Sequence, residues 1–198
     1  MLLKRLKSTE GYTGFDLDYR VYARGVDPVR LLIARCDCSY TEYVTDFFKE
    51  VSAAVRDLLG SREYSEVLNT IRSSDYPLVA LVKAAKNEGP ERVAYCYLRA
   101  SWFEGDAGSS AAEEMFLGKA RTCFEDLLAA RDVPYLDESI RQRTCYMLAE
   151  INRRLGDFAK AEEHLSQADT LEFAVLVRDQ RNLIRKKDRL RRRAKSSH

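Results

Sequence analysis

The sequence predicts a mostly α protein, in which antiparallel helical hairpins follow a small β-containing N-terminal segment. Three observations support this prediction. Turn-forming residues are frequent in the first 40 residues, apolar residues recur with a helical period after Thr41, and one pattern occurs twice within residues 90 to 171. A chain of 198 residues with 45% hydrophobic content is long enough to bury a core.

Residues 1 to 40 are predicted to form a small segment of strands and turns. Gly11, Gly14, Gly25 and the pair Asp27-Pro28 are turn signals, and a β-rich run extends from Val29 to Arg35.

Residues 41 to 171 are predicted to form a helical domain. The first helix is expected to end at Gly60 in a left-handed conformation, and shorter helices should cover Glu63 to Ile71 and the residues after Ser74-Asp75. The first helix rests on one apolar stripe with helical spacing, made of Val44, Phe47, Phe48, Val51, Val55, Leu58 and Leu59.

An internal repeat indicates paired helices. Residues 95 to 100 match residues 144 to 149, and another alanine, Ala112 or Ala161, follows twelve residues after Ala100 and Ala149. Small residues allow two antiparallel helices to approach closely, so these distances predict two tetratricopeptide-like (TPR-like) hairpins. The second helix of the first hairpin, residues 111 to 130, should exceed the standard length. The second hairpin also carries the turn and seam residues of the TPR pattern, Gly156, Asp157, Phe158, Leu165 and Ala168.

Residues 172 to 198 are predicted to form a capping helix with a basic tail. A long helix should begin near Asp169, with an apolar stripe that covers the last hairpin. Residues 178 to 198 contain ten Lys or Arg and two Asp, so this part carries a charge of +8 within a chain of net charge +2.

The chain resembles a bacterial family catalogued as domain of unknown function 2225. The resemblance covers Phe15 to Ala168 and rests on residues 27 to 40, 95 to 103 and 149 to 157. It implies a cysteine-rich, metal-binding start joined to a TPR-like helical body, without an established activity. This sequence lacks the first Cys-x-x-Cys pair of such members and keeps only Cys36-Asp37-Cys38 in place of the second.

Neither a metal nor a cofactor is expected. A structural zinc site takes four Cys or His ligands, and Cys36 and Cys38 supply only two, so they are weak metal candidates. The odd number of cysteines indicates reduced thiols rather than a disulfide framework.

Catalysis is not expected either. Cys96, Cys123 and Cys145 fall in apolar registers typical of core residues, and no glycine-rich phosphate loop is present. We therefore expect a non-catalytic scaffold that binds a protein or peptide, or a second copy of itself.

The predicted binding surface is the inner face of the first helix in each hairpin. The alternative is that the hairpins pack against the N-terminal part and leave no open groove. The residues expected to contact a partner are Tyr97, Ser101, Glu104, Arg143, Tyr146, Glu150 and Arg153.

The basic tail suggests a second class of function, an accessory protein that contacts nucleic acid. A solvated, fraying helix end explains the same charges, because no stacking aromatic residue lies among them. No apolar run is long enough for a membrane span or a signal peptide, so a cytoplasmic location without membrane contact is expected.

Overall fold

The computed structural model describes residues 12–25, 27–70, 73–130, 137–168 and 174–194. This part of the chain is mostly α, as predicted, with eight helices and two β-hairpins near its N-terminus. The strands are β1 Tyr12–Phe15, β2 Val21–Ala23, β3 Ile33–Arg35 and β4 Thr41–Tyr43, with a 3-10 turn at Arg30–Leu32. The helices are α1 Ala53–Leu59, α2 Arg62–Thr70, α3 Tyr76–Ala85, α4 Pro90–Asp106, α5 Ser110–Ala129, α6 Glu138–Leu155, α7 Phe158–Gln167 and α8 Ala174–Arg185.

The strands pair within two antiparallel hairpins. β1 pairs with β2, placing Phe15 opposite Val21, and β3 pairs with β4, placing Arg35 opposite Thr41. The strand-containing segment therefore continues past residue 40, since β4 completes the second hairpin.

The prediction of one helix over residues 41 to 59 is wrong, because only Ala53–Leu59 is helical. Ser52 starts this helix, and its side chain accepts a hydrogen bond from the Val55 backbone N–H. Phe48, which belonged to the predicted stripe, is 90% exposed. Gly60 does end α1, but with φ of −82° rather than in the left-handed region.

Two antiparallel helical hairpins, α4–α5 and α6–α7, form the centre of the molecule. Each helix from α3 to α7 packs against the next one along the chain. Ala100, Ala149 and Ala161 are fully buried, as close packing of helix backbones requires. α5 is twice as long as α7, with 20 residues against 10, and this confirms the predicted overrun.

Two apolar clusters form the core. The larger one is formed mainly by the successive helices from α3 to α8, and it includes Phe103, Phe116 and Phe124. The smaller one lies under α1, α2 and α3 around Tyr64 and Val82.

The prediction of one long C-terminal helix is also wrong, because α8 ends at Arg185. Lys187 adopts a positive φ of 53°, its N–H donates to the Ile184 carbonyl, and the Asp188 N–H donates to the Leu183 carbonyl. This is the bonding pattern of a Schellman motif, which stops a helix. Beyond it the chain folds back and pairs with the N-terminal hairpin, through an antiparallel bridge between Asp16 and Arg193.

Among the described helices, none is both long enough and apolar enough to span a membrane.

We predict opposite effects for alanine at two glycines. Gly156 ends α6 with φ of 89°, and an added Cβ would lie 3.3 Å from Arg189 Nε. Gly156→Ala should therefore lower the free energy of unfolding by about 1–2 kcal/mol. Gly118 lies within α5, and an added Cβ would have no atom within 4 Å. Gly118→Ala should therefore raise the free energy of unfolding by about 0.5–1 kcal/mol, because alanine has the higher helix propensity. Urea unfolding measures both changes. A similar free energy of unfolding for the two variants would contradict the left-handed assignment at Gly156.

Candidate peptide-binding groove

The seven predicted partner-contacting residues do not form one open surface. Six of them are buried, and only Arg143 keeps a substantial exposed fraction, 42% of its side chain. The buried ones are Tyr97, Ser101, Glu104, Tyr146, Glu150 and Arg153.

Tyr146, Glu150 and Arg153 lie on one face of α6, because residues at spacings of four and three share a helix face. Tyr146 OH donates to the Leu17 carbonyl at 2.8 Å. Arg153 Nη2 donates to the Leu190 carbonyl at 2.9 Å, and Arg153 Nη1 donates to the Asp188 carbonyl. We call this face of α6 the α6 groove. The chain itself occupies it, through Leu17 and residues 188 to 190.

The Glu150–Arg153 pair makes this arrangement possible. Glu150 accepts from Arg153 Nη2 at 2.6 Å and from Arg153 Nε at 2.9 Å, and Gln180 of α8 donates to it at 3.2 Å. Both side chains of the pair are fully buried. Burial raises the pKa of Glu150, and the charge of Arg153 acts in the opposite direction. Two further N–H groups of Arg153 donate to the backbone of the tail.

The loop between β1 and β2 is fixed against both helical hairpins by Asp18. The Asp18 carboxylate accepts from Trp102 Nε1 of α4 at 2.7 Å and pairs with Arg154 of α6 at 2.6 Å. Arg154 also pairs with Glu113 of α5. Asp18 and Arg154 are both buried, so their charges are compensated inside the protein.

The basic tail, residues 186 to 194, leaves the turn that ends α8 and crosses the groove, and its residues 192 to 194 lie beside the N-terminal hairpin. Its backbone pairs with β1 and the following residues: the Leu17 N–H donates to the Arg192 carbonyl, and the Ala194 N–H donates to the Phe15 carbonyl, both at 3.0 Å. Together with the antiparallel bridge between Asp16 and Arg193, these bonds dock residues 192 to 194 on the edge of the first hairpin.

Arginine side chains of the tail meet an acidic rim. Arg191 pairs with Asp16 at 3.2 Å and with Asp106 at 2.5 Å, while Arg189 pairs with Glu114. The tail is therefore held by its backbone in the groove and by its arginines at the rim.

One carboxylate of the rim, Asp106, has a pKa that these contacts lower. Burial raises the pKa of Asp106, but hydrogen bonds from Arg20 and Arg191 outweigh burial, so the pKa lies below its ordinary value of 3.8. A carboxyl whose pKa is lowered by folding stabilises the folded state above its ordinary pKa. This contribution is lost as the pH falls through the lower, folded value.

The other predicted residues are placed differently. The Tyr97 ring stacks on Phe116 of α5, with 6.2 Å between ring centres, and lines a separate cleft of about 170 Å³ beside Met115. Ser101 donates to the Leu98 carbonyl within α4. Glu104 is buried on the same helix, and Arg143 lies 3.8 Å from Glu91.

The prediction of an exposed partner surface is corrected accordingly. A solvated fraying end does not describe residues 188 to 194 either, since they dock on the chain. In the described part of the chain, α6 offers a groove that is already filled. The alternative interpretation, hairpins packed against the N-terminal part, matches this arrangement.

Several residues of the site escaped the sequence interpretation, notably Asp18, Trp102 and Arg154. Only one signal pointed to the segment around Asp18: charged residues alternate with apolar ones from Asp16 to Arg20. That alternation does not reveal that the charged side chains, rather than the apolar ones alone, would be buried.

Cys36 and Cys38 form a disulfide in the turn between β3 and β4, with Cα atoms 5.2 Å apart, so the expectation of reduced thiols does not hold for this pair. The Cys36 N–H donates to the Tyr40 carbonyl, which closes the turn and brings the two residues together. Among the described residues no group of three Cys, His, Asp or Glu side chains could hold a metal ion. The metal site that the family resemblance implied therefore does not fit these residues.

The remaining cysteines are free thiols. Burial raises the pKa of Cys96 to about 11, with a partly opposing hydrogen bond to Tyr43. A protonated, buried thiol of this kind is a poor nucleophile.

We predict that Arg191→Glu releases the tail. The new carboxylate would face Asp16 and Asp106, and the repulsion between like charges should weaken docking of the tail. A loss of about 1.4 kcal/mol in docking free energy corresponds to a tenfold change in the docking equilibrium. Amide hydrogen exchange at residues 188 to 194 should accelerate by about tenfold or more. Arg178→Glu is the matched control, since Arg178 is 69% exposed on α8. Equal exchange in the two variants would argue against the rim contacts.

Comparison with known proteins gives one match. Residues 5–189 match the model of a family described as "Uncharacterized protein conserved in bacteria (DUF2225)". Neither the comparison with curated proteins nor the comparison with solved structures finds a match. Because the family model covers most of the sequence, this chain belongs to the DUF2225 family.

Proposed function

We propose that this chain is a non-catalytic, TPR-like interaction module of the bacterial cytoplasm that binds an extended protein segment in its α6 groove. One observation supports the proposal: Tyr146 and Arg153, on one face of α6, donate hydrogen bonds to backbone carbonyls of two separate segments of the chain, Leu17 in the β1–β2 loop and Leu190 in the tail. Side chains that recognise a backbone accept many sequences, provided that the segment is extended.

The rim adds a preference for basic residues. Asp16, Asp106 and Glu114 face the two tail arginines, which lie two residues apart at positions 189 and 191. A partner segment that replaces the tail is therefore expected to carry Arg or Lys at this spacing.

The tail competes with any partner. A tethered segment has an effective concentration in the millimolar range, so a partner in solution must bind the groove more tightly or must meet a released tail. A second copy of the chain satisfies the same requirements, since it carries the same tail. Exchange of tails between two copies would then give the homo-oligomer that the sequence suggested.

The proposal predicts that a released tail opens the groove. A labelled peptide with the sequence of residues 186 to 194 should bind the Arg191→Glu chain at least about tenfold more tightly than wild type, because the competing tail is weakened. Fluorescence anisotropy measures the affinities. Arg178→Glu introduces the same charge at an exposed site and should bind like wild type.

Two outcomes would count against the groove. One is equal peptide binding by wild type and Arg191→Glu. The other is the same gain for Arg178→Glu, which would show attraction by net charge alone.

Affinity capture from bacterial lysate with the same three proteins then identifies natural partners, which should be enriched on Arg191→Glu. Alanine at Tyr146 or Arg153 is unsuitable here, because both side chains are fully buried.

Nucleic-acid contact is the second candidate. Its support is a run of exposed cations at the end of α8, Arg185, Lys186 and Lys187, which form no ion pair among the described residues. Arg189 and Arg191, in contrast, are engaged with carboxylates. Replacement of the three exposed cations by alanine should abolish a gel shift of nucleic acid that weakens steeply with salt. An unchanged shift, or none with wild type, would reject this candidate.

A further inference from the structure

A cationic cavity lies away from the α6 groove, between β4, α3 and α4. It measures about 330 Å³, which is within the range of small-ligand sites. We call it the Arg99 pocket, and its lining residues are Tyr43, Thr45, Asp46, Lys83, Arg92, Tyr95 and Arg99.

Arg99 has no carboxylate partner among the described residues. Its guanidinium donates one hydrogen bond to Tyr43 OH and lies 5.6 and 5.7 Å from the ring centres of Tyr43 and Tyr76. No other side-chain or backbone acceptor within the described ranges receives its remaining N–H groups. These N–H groups are not fully buried, and Arg99 is one of the residues that line the pocket.

The neighbours of Arg99 are neutral. Burial raises the pKa of Tyr43 and of Tyr76 far above their ordinary values. Burial also raises the pKa of Cys96, whose Sγ lies 3.4 Å from Tyr43 OH, to about 11. Near pH 7 none of these groups balances the guanidinium charge.

The other cations in and beside the pocket are paired with carboxylates. Lys83 Nζ lies 3.1 Å from Glu42, 3.2 Å from Asp46 and 2.9 Å from Glu88. Lys86 pairs with Glu42 at 2.7 Å, and Arg92 pairs with Glu88 at 2.6 Å.

The cluster in and around the pocket is net positive. Three of the residues that line the pocket are cations, Lys83, Arg92 and Arg99, and one is a carboxylate, Asp46. Asp46 is already paired with Lys83 and Lys49. The pocket therefore favours an anionic ligand.

The internal repeat allows Arg99 to be compared with the residue at the equivalent position of the second hairpin. Forty-nine residues later the equivalent position is Leu148, which is fully buried in the core. An aliphatic side chain therefore satisfies the packing of this helix position, and packing does not require a guanidinium here.

We propose that the Arg99 pocket binds the carboxylate of a small organic ligand. The planar guanidinium fork matches two carboxylate oxygens. The hydroxyl groups of Thr45 and Tyr95 line the same space and have no hydrogen-bond partner among the described residues, so they can orient the rest of the ligand. The ring of Tyr95 supplies an apolar wall.

Benzoate is a suitable probe, because it joins one carboxylate to one ring. At 20 mM benzoate and constant ionic strength, about ten times a millimolar dissociation constant, the Tm of the full chain should rise by roughly 3–6 °C. Benzamide has nearly the same shape without the charge and should give no rise. Arg99→Leu, which copies Leu148 of the second repeat, should lose the response. Arg62→Leu makes the same change at an exposed site of α2 and should keep it.

Chemical-shift mapping on wild type tests the location without a variant. Benzoate should shift the amides around Tyr43 and Arg99, and shifts confined to other parts of the chain would reject the site. No rise in Tm with wild type, or an equal rise with Arg99→Leu, would also reject it. Phenyl phosphate, a dianion at neutral pH, should stabilise the chain less than benzoate. A larger effect would overturn the carboxylate assignment in favour of phosphate.

Discussion

The buried carboxylate of Asp18 is the contact on which the arrangement of the chain depends. It joins a loop near the N-terminus to Trp102 of the first helical hairpin and Arg154 of the second. A buried charge is costly unless it is paired and hydrogen-bonded, so Asp18 requires both helices in these positions. Loss of either partner would leave a buried ion uncompensated. The relative placement of the three parts is thus set by electrostatics as well as by apolar packing.

The position of the N-terminal loop then determines the other contacts in the α6 groove. Leu17 presents its carbonyl to Tyr146, and the neighbouring edge of β1 is available to the tail. Arg153 then receives two carbonyls of the tail while Glu150 balances its charge. Backbone recognition in the groove and arginine recognition at the rim are separable properties. For the proposed partner segment, the first would recognise its backbone and the second would favour its positive charge.

Sequence periodicity succeeded where small residues and apolar residues together defined a repeat. Ala100, Ala149 and Ala161 are buried at helix contacts as their spacing predicted. Periodicity failed over residues 41 to 59, because apolar spacing alone does not reveal that Glu42 is buried against Lys83 and Lys86 within a strand. Periodicity also failed after Arg185, where a Schellman motif stops α8. No glycine or proline at this point indicates the end of the helix.

The sequence by itself determined the helical class, the two hairpins and the family of this chain, because small and apolar residues at fixed spacings constrain local helix pairing. Only the tertiary structure decided what covers those hairpins. It buried six of the seven residues expected to meet a partner, turned the basic tail back across α6, and left Arg99 beside a cavity without a carboxylate partner among the described residues. These outcomes depend on ion pairs between residues far apart in the sequence, such as Asp16 with Arg191 and Asp18 with Arg154, and spacing along the chain does not reveal such contacts.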